Sequence, residues 1–181
     1  MDDKKIYTQL LHWFPELEPR KIPKKKYRRN FQNFLEWIAA EKSGNSYRSY
    51  LMKIDRNVYS ENGLECSAIL HDHHVDIQAV QTIIRKRAKP LFEHFEKHKE
   101  VIGRYYNVHD QVYDIIFEEI LNAAKTRKFE MLLIYAEHFY WLVVPNEDSK
   151  IEKFCKLFEK QFKGEEVLIE HYAIFDCSRS T

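Results

Sequence analysis

Through the first two-thirds of the chain, apolar residues recur at helical spacing between charged residues. In the segment 109–126, for example, Val112, Ile116 and Ile120 fall on one face of a helix. The same spacing predicts helices over residues 2–14, 27–42, 76–106 and 109–126. Pro90 lies within the third segment. Because a proline there removes a backbone donor, this segment is either one bent helix or two abutting helices.

The pattern changes after residue 128, where the most apolar part of the chain begins. Residues 130–136 and 139–144 carry apolar or aromatic side chains on both faces, which predicts two strands joined by a turn at Glu137 and His138. Strands of this kind are either covered by helices on both sides, or covered on one side and used for contact on the other.

A strand–strand–helix–strand unit is completed by the residues that follow. A helix with acidic residues in its first turn follows Pro145 and ends at Gly164, because glycine is favoured just after the end of a helix. The apolar residues of a third predicted strand are Val167, Ile169, Tyr172 and Ile174.

Residues 47–70 have the least regular pattern. Asn62 and Gly63 both tolerate positive φ, which favours a turn between two short strands near 50–60 and 64–70. We therefore expect a short hairpin within the otherwise helical first part of the chain.

These elements predict one α+β domain that covers residues 1–181. Residues 1–128 form its mainly helical part, packed on a small antiparallel sheet, and residues 129–176 form the strand–strand–helix–strand unit. Only four glycines and five prolines argue against a turn-rich all-β fold. Apolar residues make up 44% and charged residues 31%, which excludes a disordered chain.

The predicted compartment is the cytoplasm. The chain begins M-D-D-K-K-I-Y, without the apolar segment of a secretory signal, and its longest apolar run is far shorter than a membrane span. Three cysteines without a CxxC spacing are typical of reduced thiols. We expect no membrane partner.

Charge is distributed unevenly along the chain. The formal net charge is +1, so the chain as a whole has no strong field that attracts nucleic acid. Residues 129–181 nevertheless hold ten acidic and six basic side chains, so the C-terminal unit is acidic and the remainder is mildly basic.

His71, His73 and His74 are the densest group of candidate metal ligands. Imidazole binds zinc and similar metals, and two of these residues would lie on one side of an extended segment. Their spacing fits no complete metal motif, so a polar loop before a helix is the favoured interpretation. His94 and His98, four residues apart, are similarly typical of a solvated helix face. No metal or cofactor is predicted.

A basic run with an interleaved aromatic residue offers a second chemistry. Lysine and arginine side chains contact phosphates, and a tyrosine ring can stack on a base. The residues of this candidate nucleic-acid site are Arg20, Lys24, Lys25, Lys26, Tyr27, Arg28 and Arg29.

The aromatic and acidic residues of the C-terminal unit indicate a protein-binding surface. Tyrosine and tryptophan anchors with an acidic rim suit a partner with a basic surface. The candidate partner-binding residues are Glu137, Tyr140, Trp141, Glu147, Asp148, Glu165, Glu166 and Glu170. The alternative is a core sheet with a solvated acidic rim. The chain has no catalytic serine motif and no phosphate-binding glycine loop, so no catalytic residue is predicted.

In size, aromatic content and the pattern M-L-L-I-Y-A, F-Y-W-L-V-V and V-L-I-E-H-Y at 131–136, 139–144 and 167–172, the chain resembles bacterial immunity proteins. These include the immunity proteins of contact-dependent growth inhibition systems. The resemblance implies a stoichiometric inhibitor that binds a cognate toxin domain, often a nuclease, and covers its active site or substrate surface. It assigns no role to any single residue.

Two other functions remain open from the sequence. One is a nucleic-acid-binding protein or small nuclease, which would use the basic run together with His71, His73 and His74. The other is a homodimer or regulatory oligomer, since exposed aromatic strands also join identical chains.

Overall fold

The computed structural model describes residues 3–38, 41–43, 46–53, 64–102 and 108–173. Within these ranges the chain forms helices α1 (Lys5–Trp13), α2 (Phe31–Ile38), α3 (Ala68–Asp72), α4 (Ile77–Ile102), α5 (Val108–Lys125) and α6 (Asp148–Gln161). The strands are β1 (Glu41–Ser43), β2 (Ser46–Arg48), β3 (Leu51–Lys53), β4 (Phe129–Tyr135), β5 (Phe139–Pro145) and β6 (Leu168–Tyr172). This is an α+β fold, as the sequence predicts.

The main sheet has four antiparallel strands in the order β3-β5-β4-β6. On the central strand β4, Leu133 lies opposite Trp141 of β5 and opposite Glu170 of β6. Because successive side chains of a strand point to opposite faces, this register assigns Leu133, Trp141 and Glu170 to one face of the sheet. The neighbouring Ile134, Tyr140 and Ile169 share the other face.

Helices cover both faces of the sheet, which confirms the first of the two arrangements that the apolar strands predict. On the Leu133 face, rings of α5 contact the sheet: Tyr113 packs on Phe139, and Phe117 packs on Tyr172. We call α4 and α5 the α5 layer. On the other face, Phe31 of α2 packs edge-on against Tyr140. We call α1, α2 and α6 the α6 layer.

Aromatic rings hold the α6 layer together. Phe31, Phe34 and Phe158 contact one another with ring centroids 5.3–6.2 Å apart. Trp13 of α1 packs on Phe154 of α6 with a centroid separation of 5.1 Å. Edge-on, tilted and stacked ring contacts of this kind add to the hydrophobic gain from burial.

Helix α2 is shorter than the predicted helix over 27–42. Asn30 ends the preceding turn, and its side-chain oxygen accepts the backbone N–H of Asn33 at 2.9 Å. This cap fixes the helix start at Phe31. Residues 41 and 42, expected to be helical, instead belong to strand β1, which pairs with β2 in a small two-stranded sheet.

The predicted hairpin near 50–70 is only half correct. Strand β3 forms and pairs with β5, whereas the segment 64–70 contains a short 3-10 turn and the start of α3. Ser67 stops the expected strand, because its hydroxyl accepts the N–H of Leu70 and caps α3. The predicted turn at Asn62 and Gly63 lies outside the described residues.

Two helix ends refine the predictions. Helix α4 continues through Pro90 as one helix, and the Asp76 carboxylate caps it by accepting the N–H of Ala79 at 2.9 Å. Helix α6 ends at Gln161, before Gly164. The left-handed backbone lies at Glu166, with φ of 51°, so Gly164 is not the residue that turns the chain.

Candidate functional site

Trp141, expected on a partner-binding surface, is a core residue. Its side chain is 0% exposed, on the sheet face that α5 covers. The neighbouring Tyr140 is half-buried on the opposite face against Phe31, and burial, followed by the charge of Glu137, raises the pKa of its hydroxyl. Trp141 therefore lies entirely in the protein interior, and much of Tyr140 does too.

Glu147 stabilises the fold at the start of α6. Its carboxylate accepts the indole N–H of Trp13 at 2.7 Å and the ammonium of Lys150 at 2.6 Å. The hydrogen bonds from Lys150 and Trp13 hold the pKa of Glu147 below its ordinary value. The next residue, Asp148, is exposed in the first helical turn, where a negative charge suits the helix dipole.

Glu165 is likewise engaged within the chain. Its two carboxylate oxygens accept the backbone N–H of Phe31 and the side-chain amide of Asn30, each at 3.2 Å. This places a negative charge at the N-terminus of α2, where backbone N–H groups lack helical partners. Glu166 is exposed next to it.

The predicted acidic residues therefore do not form one surface. Glu147 and Glu165 lie at opposite ends of α6, a helix of 14 residues that spans about 20 Å. Glu137 is exposed at the turn between β4 and β5. Glu170 lies on β6 and accepts the hydroxyl proton of Tyr135. Of the predicted set, Glu170 is the residue that the structure joins to exposed aromatic and apolar groups.

Those groups form a row across three strands on the Leu133 face. Tyr135 lies opposite both Phe139 and Leu168 in the strand register. Phe139 packs edge-on against Tyr135, with ring centroids 5.5 Å apart, and is still 40% exposed. Leu168 is 61% exposed. Exposed apolar side chains that adjoin one another mark a contact surface more strongly than scattered ones.

Helix α5 adds three carboxylates beside this row. Asp110, Asp114 and Glu118 follow one another at four-residue spacing, so they lie along one side of the helix. We define the acidic aromatic face by the residues of α5 and the sheet that meet here: Asp110, Asp114, Glu118, Tyr135, Phe139, Leu168, Glu170 and Tyr172.

The electrostatics of the acidic aromatic face are those of crowded negative charge. Burial, then the charges of Glu118 and Asp110, raise the pKa of Asp114. Burial is also the largest cause of the raised pKa of Tyr172, followed by Glu118, Asp114 and Glu170. One cation, Arg87, bonds to both Glu118 and Glu119. A cation brought by a partner would relieve this repulsion.

The α5 carboxylates are the part of this face that the sequence did not predict. The pattern places Asp114 and Glu118 off the apolar stripe of their helix, and their spacing signals an acidic side. It does not show which strand that side adjoins. Contact between α5 and the outer end of β6 supplies this information, through Phe117 and Tyr172 at 5.7 Å.

The histidine cluster does not converge. His71 interacts with the adjacent Asp72 at 3.3 Å, whereas the ring of His73 packs on Phe129 at 4.5 Å. His74 has a left-handed φ of 53°, and its backbone oxygen accepts a hydrogen bond from the guanidinium of Arg127. Among the residues that the structure describes, no group of three or more His, Cys, Asp or Glu side chains is arranged to hold a metal ion.

The arginines of the basic run hold the connector between α1 and α2. Arg20 donates to the backbone oxygen of Trp37 at 2.7 Å, and Arg28 donates to that of Pro23 at 2.7 Å. Arg29 pairs with the buried carboxylate of Asp3 at 3.3 Å. The remaining residues of the run, Lys24, Lys25, Lys26 and Tyr27, are exposed.

The described thiols belong to Cys66 and Cys155, and neither forms a disulfide bond within the described residues. Burial raises the pKa of Cys155 to about 11, so this thiol is protonated at neutral pH and is a poor nucleophile.

Comparison of the chain with protein-family models, curated proteins and solved structures finds no match in any of the three. In the described ranges, none of the helices has the length and apolar character that crossing a membrane requires.

Proposed function

We propose that this chain is a non-enzymatic binding protein whose acidic aromatic face receives a basic protein. The observation that supports this most directly is the exposed pair Phe139 and Leu168, in a row with Tyr135, beside the carboxylates of Glu170 and Asp114. Apolar anchors supply contact area, and the carboxylates select a partner with lysine or arginine at its surface.

The tyrosines of this face are suited to partial desolvation. The hydroxyl of Tyr135 already donates a hydrogen bond to the carboxylate of Glu170. A partner can therefore cover the Tyr135 ring without burying an unpaired hydroxyl group. Burial, and then the charges of Glu118 and Asp110, disfavour the charged state of Asp114 in the free protein, so a partner cation gains additional attraction here.

The biological form that we propose is a cytoplasmic immunity protein that neutralises a cognate toxin domain, such as a nuclease. Nucleases present basic surfaces to the phosphates of their substrates, and a face with several carboxylates can occupy the same surface. Attraction between opposite charges also speeds association, which suits a protein that must capture a toxin before it acts.

Affinity capture from the source organism tests the binding surface. The wild-type chain is compared with Asp114→Lys/Glu170→Lys and with a matched control, Glu16→Lys/Glu36→Lys, whose exposed carboxylates lie outside this face. We expect the wild type and the control to form a stoichiometric complex with one basic protein on size-exclusion chromatography. The Asp114/Glu170 variant should lose it. Equal capture by all three chains, or recovery of nucleic acid in place of a protein, would contradict the proposal.

A growth assay tests the immunity function itself. The captured protein is expressed in a bacterial host with and without this chain. We expect it to arrest growth alone and to be tolerated when the wild type or the control variant is co-expressed, but not with Asp114→Lys/Glu170→Lys. If the captured protein does not impair growth, this chain binds a partner but is not an immunity protein.

A further inference from the structure

The C-terminal end of α6 forms a basic surface together with the segment that precedes α2. Gln161 donates its side-chain amide to the backbone oxygen of Arg28 at 2.7 Å, and the hydroxyl of Tyr7 donates to the same oxygen at 3.3 Å. The Gln161 bond holds Arg28 against the end of α6, and the Tyr7 bond joins the same carbonyl to α1. Arg29 of this segment lines one groove together with Lys160 and Lys163.

An open groove of about 510 Å³ lies between the two segments. Its walls are Arg29, Lys160, Gln161, Lys163, Gly164 and Glu165. A second groove, of about 610 Å³, shares Lys160 and Lys163 with the first. Lys156, the exposed carboxylates of Glu159 and Glu166, and the side chains of Val167 and Leu168 also line it. The two depressions therefore follow one another along the surface, with the same two lysines between them.

The carboxylate in the first groove is already engaged. Glu165 accepts the N–H of Phe31 and the amide of Asn30, so its charge is directed towards the N-terminus of α2. Arg29 shares its charge with Asp3. The exposed cations that remain for a ligand are Lys24, Lys25, Lys26, Lys160 and Lys163.

An exposed aromatic ring lies beside one of these cations, Lys26. Tyr27 is 42% exposed, and the ammonium of Lys26 lies 4.6 Å from the centre of its ring. Cationic grooves that follow a phosphate backbone, together with aromatic rings on which bases stack, are how proteins bind single-stranded nucleic acid. A duplex keeps its bases stacked inside and would leave the Tyr27 ring unused.

We propose that this surface binds single-stranded RNA or DNA. Lys160 and Lys163 contact successive phosphates along the two grooves, Lys24, Lys25 and Lys26 contact the backbone further along, and Tyr27 stacks on a base. None of its cations belongs to the acidic aromatic face, and the two surfaces adjoin at Leu168, which lines the second groove.

Fluorescence anisotropy with labelled U-rich and T-rich oligonucleotides of about 12 nucleotides tests the site. We expect the full chain to bind at low salt and to lose affinity steeply as salt rises. Lys160→Glu/Lys163→Glu should weaken binding at least roughly tenfold. Lys97→Glu/Lys99→Glu, with the same change of charge on exposed lysines of α4, should bind nearly as wild type does. Equal losses in both variants, or no binding at low salt, would overturn the proposal.

Gly164 permits a test that removes no existing side chain. A Cβ at this position meets no atom within 4 Å, and its φ is outside the left-handed region, so a longer side chain is accommodated. Gly164→Glu places a carboxylate in the groove, whereas Gly164→Gln places a neutral group of similar shape there. We expect the first variant to bind several-fold more weakly than the second. Equal affinity of the two would argue against phosphate contact in this groove.

Two further comparisons separate nucleic acid from other anions. Tyr27→Ala should weaken oligonucleotide binding roughly tenfold, and Tyr27→Phe should restore it, because stacking requires the ring and not the hydroxyl. An unlabelled polyglutamate of equal charge should compete poorly. If it displaces the oligonucleotide as well as an unlabelled oligonucleotide does, the surface is one for acidic proteins and the proposal fails. These results do not depend on whether a partner binds at Asp114 and Glu170.

Discussion

The indole N–H of Trp13 donates to the carboxylate of Glu147 at 2.7 Å, across 134 positions of sequence. This bond fastens α1 to the first turn of α6, next to the ring contact between Trp13 and Phe154. Trp13→Phe preserves most of the ring packing and removes the donor. We therefore expect a lower urea midpoint with an unchanged transition slope. Glu152→Gln, which breaks only the exposed pair with Lys156, should leave the midpoint almost unchanged.

The same carboxylate predicts a dependence of stability on pH. The pKa of Glu147 is below its ordinary value of 4.5, because Lys150 and Trp13 bond to the charged form. A lowered native pKa contributes stability that is present above 4.5 and is lost as pH falls through the native value. The difference in urea midpoint between wild type and Glu147→Gln should therefore be largest near neutral pH and shrink towards pH 3. A constant difference over this range would contradict the assignment.

Asp114 predicts the opposite dependence. Its pKa is raised above the ordinary value of 3.8, first by burial and then by Glu118 and Asp110. Folding therefore favours the protonated form, and the charged form destabilises the native state above the raised pKa. We expect Asp114→Asn to raise the urea midpoint at neutral pH and to lose this advantage as pH falls through the raised pKa to 3.8. If Asp114→Asn is more stable than wild type but captures less partner, the Asp114 carboxylate serves binding at a cost in stability.

Trp141 and Phe139 lie two residues apart on the same sheet face but should respond differently to truncation. Trp141 is fully buried, so Trp141→Ala should cost about 3–5 kcal/mol in the free energy of unfolding, measured by urea denaturation. Within the described part of the chain, its indole nitrogen has no hydrogen-bond partner, so Trp141→Phe should cost much less.

Phe139→Ala is the matched comparison. Its ring is 40% exposed, and the expected cost is about 1 kcal/mol. This variant should nevertheless capture the partner more weakly than wild type does. A loss of stability as large as that of Trp141→Ala would show that Phe139 belongs to the core and not to the docking surface.

The longest elements were predictable because their own residues determine them. Helix α5 (Val108–Lys125) agrees with the predicted 109–126, and β4 and β5 agree with their predicted segments to within one residue at each end. In each case a sustained apolar pattern is compatible with only one type of secondary structure. The short elements differ: the 64–70 segment became helical because Ser67 caps Leu70, a local bond that competes with the strand pattern.

Some residues of the predicted partner-binding set are exposed and others are engaged within the fold, and partner binding itself stays a prediction. An acidic and aromatic surface is present, yet Trp141 is buried, and Glu147 and Glu165 stabilise helix ends. Apolar alternation shows that two residues share a face, but not how far a covering helix extends over that face. Trp141 lies beneath α5 and Phe139 at the edge of its cover. That difference depends on contacts between segments far apart in sequence.

The sheet lies between a layer that exposes the carboxylates of α5 and a layer that exposes the lysines at the end of α6. Helix α5 holds four acidic side chains and one lysine, whereas the neighbouring α4 holds six basic and three acidic ones, so charges of one sign are grouped locally in a chain whose net charge is only +1. In the field of a strongly charged macromolecule, such groups favour first contact through the surface of opposite sign. The orientation at encounter, and not only the rate, then depends on the sign of the macromolecule that the chain meets.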